Sequence, residues 1–302
     1  MIFPKSIFEG CTIGVVAPSS PFKKYKLNII EESLNKLGYK IKFGKSCFSS
    51  YMGYLSGKDS LRAKDIEDMF LDKDIDGILC LRGGYGTPRI LDKINYDIIK
   101  NNPKFFIGYS DITALHIAFN QKCDLVTFHG IMAGTCPKWD EFTYHSLINS
   151  INYRNTLDIK NPDDEEIHTL VEGKCEGILT GGNLSLLVST IGTDYEIDTK
   201  GKILFIEDIG ESIYKLDRML TQLDLSGKFK DCSGIIFGDF CDCEKNNEDD
   251  FELIELLKDR IYKYNKPCIF NLKSGHCSPM ITLPLGAKCI LDADKTVIKF
   301  TK

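Results

Sequence analysis

Along the first half of the chain, short apolar runs alternate with longer stretches in which apolar residues recur every three or four positions. This is the rhythm of strands joined by helices in a parallel sheet. Thr12–Ala17 predicts a buried strand closed by the turn Pro18-Ser19-Ser20-Pro21. Leu27–Leu37 predicts a helix stopped by Gly38, and Tyr39–Phe43 a second strand. Ser60–Phe70 places Leu61, Ile66, Met69 and Phe70 along one helical face, with Ser60 as its cap. Strands follow at Gly77–Leu81, Lys104–Gly108 and Leu125–Phe128, and a helix over Asp111–Phe119 begins at once after the fourth strand.

The stretch from about Asn152 to Glu172 is polar and acidic, with Asn161-Pro162-Asp163-Asp164-Glu165-Glu166 at its centre, and reads as a linker. Beyond it, short strands are expected at Gly177–Thr180, Lys202–Ile206, Gly234–Phe237, Pro267–Phe270 and Ala287–Leu291, with a helix over Ile213–Leu225. The expected architecture is therefore α/β: a parallel-sheet N-terminal domain (1–155), a linker (156–172) and a smaller, mixed α/β C-terminal domain (173–302).

A length of 302 residues with 43% hydrophobic content fits two such globular domains. Lys and Arg number 38 against 43 Asp and Glu, a net charge of −5. That sign gives no general attraction to nucleic acid or to an anionic membrane. No apolar run approaches the ~18 residues that would span a bilayer. The N-terminal residues carry no signal-peptide pattern, so a cytoplasmic protein is expected. Twelve cysteines are scattered from Cys11 to Cys289 without a CxxC pair, and there is no HExxH. Reduced, mostly buried thiols are expected, with neither a structural metal nor a cofactor.

The densest chemical signal is Phe105-Phe106-Ile107-Gly108-Tyr109-Ser110-Asp111-Ile112-Thr113. An apolar strand runs into a tight corner at Ser110 and a helix follows, at the strand end where open α/β sheets bind ligands. A serine there can act as a nucleophile beside helix amides suited to an oxyanion, or it can simply cap the helix. The pattern is close to GxSxG but has Ile112 in place of the last glycine.

A second strand ends in Leu81-Arg82-Gly83-Gly84-Tyr85-Gly86. Three glycines in four positions let backbone amides approach an anion closely, and Arg82 beside them suits a substrate carboxylate. Neither a phosphate-binding P-loop nor a dinucleotide fingerprint is present. Of the five histidines, His129 and His276 sit at strand ends or loops where either could serve as a base. His116, His145 and His168 lie in stretches without such a signal. Glu207 and Asp208, at the end of a very apolar strand, could orient an imidazole.

Taken together, these segments resemble the LD-carboxypeptidase family, serine peptidases of murein recycling that also include the microcin C self-immunity peptidases. The likeness runs from Ile13-Gly14-Val15-Val16-Ala17-Pro18-Ser19-Ser20-Pro21 through Arg82–Gly86 and Gly108–Leu115 to Thr127-Phe128-His129-Gly130. It continues in Gly181-Gly182-Asn183-Leu184, in Glu207-Asp208 with Tyr214 and Asp217-Arg218, and in Gly275-His276 followed by Leu283-Pro284-Leu285-Gly286.

The resemblance implies a flavodoxin-like N-terminal domain and a triad of Ser110, Glu207 and His276, with the site between the two domains. It implies a cytoplasmic homodimer acting on a small peptide. On that reading His276 is the general base and Glu207 orients it, while Ser110 attacks the carbonyl preceding a terminal D-amino acid. The amide of Asp111 and one from Gly83 or Gly84 would bind the oxyanion. Arg82, Tyr85 and Arg218 are the candidates for contacting the substrate, and Arg218 could instead pair with Asp217 or Glu211 along its helix. The competing readings are an immunity-type peptidase cleaving peptidyl or aminoacyl nucleotides, a non-catalytic two-lobe binding protein, and a cysteine hydrolase using Cys277 or Cys80.

Overall fold

The computed structural model describes residues 1–245 and 249–302. Its backbone divides into two compact units, one of Met1–Asn152 with Thr282–Gly286, the other of Tyr153–Ile281 with Ala287–Lys302.

In the first unit, β1 (Thr12–Val16), β2 (Lys40–Phe43), β3 (Gly77–Cys80), β4 (Phe105–Gly108) and β5 (Thr127–His129) are all parallel, in the order β2-β1-β3-β4-β5. This is the flavodoxin order, and its direction of winding reverses between β1 and β3, where doubly wound sheets open a ligand crevice at the strand carboxyl ends. Every residue of β3 and β4 is buried, as befits central parallel strands covered on both faces. Phe106 of β4 packs on Phe119 with ring centroids 5.0 Å apart, and Phe119 meets Phe70 edge-on at 5.7 Å. Each such fully buried ring contributes on the order of 2–3 kcal/mol of hydrophobic stabilisation.

Helix Leu27–Lys36 buries Leu27, Ile30 and Leu34, and the chain turns out of it through Gly38 at φ +86°, the predicted stop. Helix Asp59–Leu71 starts one residue before Ser60, which does not cap it: Lys58 occupies the cap position without a side-chain bond. Instead Asp59 pairs with Arg62 and Arg89. The fifth strand sits slightly later than predicted because Leu125 bridges to Ile2.

The second unit is built on an eight-stranded sheet. Its strands are β6 (Thr156–Ile159), β7 (His168–Val171), β8 (Lys174–Asn183), β9 (Ile203–Ile209), β10 (Gly234–Cys241) and β11 (Cys268–Phe270), with two more from the C-terminus. β8 to β11 are parallel neighbours. β12 (Leu283–Leu285) does not join this sheet but pairs antiparallel with β5 in the first unit. β13 (Lys288–Asp292) then pairs antiparallel with β8, β14 (Val297–Thr301) antiparallel with β13, and β6 antiparallel with β14 to complete that edge.

Two expectations change here. The stretch 156–172 is not a linker, since β6 and β7 close the two edges of the second sheet. Its charges, Glu165 apart, lie on exposed positions flanking Leu157, Ile159 and Leu170, which are buried. The C-terminal segment is likewise not confined to one unit, because the short apolar run of β12 completes the first sheet.

Candidate active site

β4 ends at Gly108, where a Cβ would stand 2.9 Å from Ile112 and 3.1 Å from Cys80. Tyr109 is extended, and Ser110 then takes φ +64°, the left-handed region that ordinary residues avoid. Such a conformation costs on the order of 1–2 kcal/mol and is held by the surrounding structure. A 3-10 turn over Ser110–Ile112 leads into helix Thr113–Cys123, and neither start carries a side-chain cap bond. The capping alternative for Ser110 is therefore set aside.

The glycine loop after β3 lies against this corner. A Cβ on Gly83 would fall 2.9 Å from Ser110 Cβ, 3.0 Å from its Oγ and 3.5 Å from the Asp111 nitrogen. No side chain fits there, so backbone faces the hydroxyl directly. Gly84, at φ +114°, backs onto Ser20, whose Oγ accepts the Tyr85 amide at 3.1 Å. Beneath the corner the Asp111 carboxylate is 1% exposed and accepts Ser19 Oγ at 2.6 Å and the Thr87 amide at 2.9 Å. Burial pushes this carboxyl above its ordinary range, while the hydrogen bonds pull it back.

In the second unit Glu207 lies near the end of β9, fully buried. His276 Nδ1 donates to its Oε2 at 2.8 Å. The loop carrying the histidine passes close because Gly275, at φ +137°, has no side chain; a Cβ would sit 2.8 Å from that same oxygen. Ser274 Oγ donates to the Ile281 carbonyl at 2.9 Å, and the Ile281 amide to Lys273 at 2.7 Å, closing the loop on itself. Burial raises the Glu207 carboxyl and the facing His276 opposes the rise. With Nδ1 committed to a carboxylate, Nε2 is left as the basic atom of the ring.

Asp208 is also buried but serves differently: it accepts Asn183 Nδ2 at 2.9 Å, Ser185 N at 3.0 Å and Ser185 Oγ at 2.9 Å. It fixes the start of helix Leu184–Ser189, while its neighbour holds the imidazole.

Among the other histidines, His129 is fully buried at the end of β5, its ring 6.1 Å from Tyr109 and 6.5 Å from His116. His116 Nε2 donates to the Gly108 carbonyl at 2.8 Å, and burial lowers its pKa to about 4. His145 and His168 are exposed. Arg82 is exposed in the glycine loop, with Nη1 3.3 Å from the Pro21 carbonyl, and Tyr85 is half exposed beside Tyr54. Arg218 is exposed on helix Ile213–Leu225. Asp217 pairs with Arg260 at 2.9 Å and Glu211 with Lys215 at 3.3 Å, not with Arg218 as the helical spacing suggested.

All twelve cysteines are free. Burial raises the Cys277 thiol to about 12 and the Cys80 thiol far above its ordinary value, which leaves both almost wholly protonated at neutral pH. Among the described residues no group of three or more His, Cys, Asp or Glu could hold a metal ion, and no helix is long and apolar enough to cross a membrane.

The side chains of Ser19, Arg62, Asp111 and Asn183 were not singled out by sequence. Asp111 stood next to the serine, but its spacing gave no sign that its carboxylate points inward.

Residues 13–130 match the family model described as the LD-carboxypeptidase N-terminal domain, and residues 176–291 the one described as the C-terminal domain. The chain is 43% identical, over 98% of its length and 93% of the relative's, to a "Probable murein peptide carboxypeptidase" of Bacillus subtilis (strain 168). A structure of MccF in complex with glutamyl sulfamoyl guanosine superposes with a TM-score of 0.92 at 27% identity, covering 100% of this chain and 99% of that one. The muramoyltetrapeptide carboxypeptidase from Oxalobacter formigenes gives 0.83 at 26% identity, covering 96% and 97%. The chain belongs to the LD-carboxypeptidase family of serine peptidases. Its two-domain α/β architecture is that of these relatives.

Proposed function

We propose that the protein is a serine carboxypeptidase that releases a terminal D-amino acid, D-alanine, from murein tetrapeptides. The observation that carries the chemistry is the bond from His276 to the buried Glu207, which supports an imidazole held in one tautomer with Nε2 as its basic nitrogen. In this reading His276 takes the Ser110 proton, and Ser110 attacks the carbonyl of the L-centred residue before the D-amino acid. The tetrahedral intermediate collapses as His276 returns the proton to the departing amine, and water repeats the sequence on the acyl-enzyme. Backbone amides of Asp111 and of Gly83 or Gly84 take the oxyanion, each worth roughly 3 kcal/mol of transition-state stabilisation. Arg82, Tyr85 and Arg218 are proposed to contact the substrate, Arg82 by receiving its terminal carboxylate.

Identity of 43% to a probable murein peptide carboxypeptidase, against 31% to MccF, favours the murein substrate. The second reading, cleavage of aminoacyl nucleotides, is favoured by the closer backbone superposition on MccF. Incubation with a murein tetrapeptide and, separately, with an aminoacyl sulfamoyl adenylate decides between them. Loss of one D-alanine from the first and slower or no cleavage of the second is expected; the opposite preference would transfer the assignment. The same reading takes the protein as a cytoplasmic homodimer, and light scattering at twice the monomer mass is the expected result.

A further inference from the structure

Two loops come together beside Ser110, one after β1 and one after β3, and two buried side chains of opposite charge hold the same pair. Arg62, fully buried on helix Asp59–Leu71, donates through Nη1 to the carbonyls of Pro18 and Gly86, the latter at 2.8 Å, and through Nη2 to Asp59. Asp111 accepts the Ser19 hydroxyl at 2.6 Å and the Thr87 amide at 2.9 Å, both on Oδ2, while Thr87 Oγ1 donates to the Asp111 carbonyl. At residues 18–19 of one loop and 86–87 of the other, the cation thus takes the carbonyl and the anion takes the adjacent donor. Gly86, at φ +134°, admits the arginine: a Cβ there would stand 2.7 Å from Nη1.

Burying two charges costs several kcal/mol each, a cost a neutral core would not carry. In return, charge-assisted bonds are roughly twice as strong as neutral ones and fix direction as well as distance. Gly83, whose backbone abuts the Ser110 hydroxyl, lies three residues before the 86–87 anchors in the same loop, and its carbonyl accepts the Ser20 amide of the other loop at 3.4 Å. We propose that Arg62 and Asp111 are positioning residues, a buried clamp of opposite charges that fixes the 18–20 and 83–87 loops and thereby holds the backbone donors of the glycine loop in register with Ser110. The inference rests on the reading of Ser110 as nucleophile. Donors aligned only for the transition state affect kcat and leave KM nearly untouched when they loosen.

The test is steady-state D-alanine release from a murein tetrapeptide by Asp111→Asn, Arg62→Ala and Ser19→Ala, with Ser110→Ala alongside and thermal unfolding of each. Asp111→Asn is expected to lower kcat by ~30–100-fold, the scale of a misplaced oxyanion donor, with KM within threefold. Arg62→Ala is expected to recover part of its lost kcat when millimolar guanidinium is added. Ser19→Ala removes one anchor and keeps both charges, so it remains decisive if the other two fail to fold; a ~5–10-fold fall in kcat is expected for the loss of one hydrogen bond. Unchanged kcat in Ser19→Ala and in folded Asp111→Asn, with Ser110→Ala inactive, overturns the clamp alone. If Ser110→Ala itself still releases D-alanine, the nucleophile reading fails and the clamp falls with it.

Discussion

His276 donates its Nδ1 proton to Glu207 across 2.8 Å, and Glu207 has no surface open to solvent. A carboxylate so enclosed has its charge answered by the imidazole it orients. Glu207→Gln keeps the shape but removes the charge and permits the wrong tautomer, leaving Nε2 protonated. The expected outcome is a fall in kcat of ~10³–10⁴ with little change in KM, the loss seen when an orienting carboxylate becomes an amide. Steady-state kinetics with a murein tetrapeptide checks it, and a variant within tenfold of wild type would remove Glu207 from the mechanism.

Gly83→Ala and Gly275→Ala each set a methyl group against one member of the proposed triad. The first puts a methyl 3.0 Å from Ser110 Oγ, the second a methyl 2.8 Å from Glu207 Oε2 at a backbone angle of +137° that alanine resists. The first methyl also meets Ser110 Cβ at 2.9 Å, and Glu207 is enclosed and bonded to His276, so each variant is expected to lose at least ~100-fold in kcat/KM, about 2.7 kcal/mol of transition-state binding. Gly275→Ala should also lose stability, read as a lower Tm, because strain adds to the clash.

His116 makes the first unit sensitive to acid. Its folded pKa of about 4 lies below the ordinary 6.5, so the unfolded chain takes up a proton first as pH falls. Stability is complete above about 6.5 and is lost as pH drops towards 4, by ~2 kcal/mol at pH 5 from this group alone. His116→Gln, which can still donate to the Gly108 carbonyl, lacks that term. Urea unfolding at pH 7 and pH 5 should show wild type losing ~2 kcal/mol more than the variant over that interval. Equal losses would mean that His116 is not buried neutral.

Alkylation separates serine from cysteine chemistry. With the Cys277 thiol raised to about 12 and Cys80 fully buried, iodoacetamide at pH 7.5 should leave peptidase activity intact. Stoichiometric inactivation protected by substrate would restore the cysteine alternative.

The first sheet was legible in sequence because its strands are continuous apolar runs and its helices carry clean stripes, such as Leu27, Ile30 and Leu34. The second was less so. β6 and β7 are four-residue edge strands with exposed polar positions, and among acidic neighbours they read as a linker. β12 carries only Leu283, Pro284 and Leu285, too short for any periodicity to say which sheet it joins. At the site, Ser110 and the Gly83–Gly84 loop stood out through glycine density at strand ends. Local reading left His129 and His276 level, and the carboxylate facing His276 lies 69 residues away in the chain. The Arg62–Asp111 arrangement was invisible for the same reason, since each residue meets partners 24 to 92 positions distant.

On the proposed mechanism Ser110 carries the hydrolysis. Mass spectrometry of a murein tetrapeptide incubated with wild type and with folded Ser110→Ala tests it most directly. Wild type is expected to give a tripeptide and one free D-alanine, and the variant no cleavage above background. D-alanine release by Ser110→Ala at a rate near wild type would contradict it.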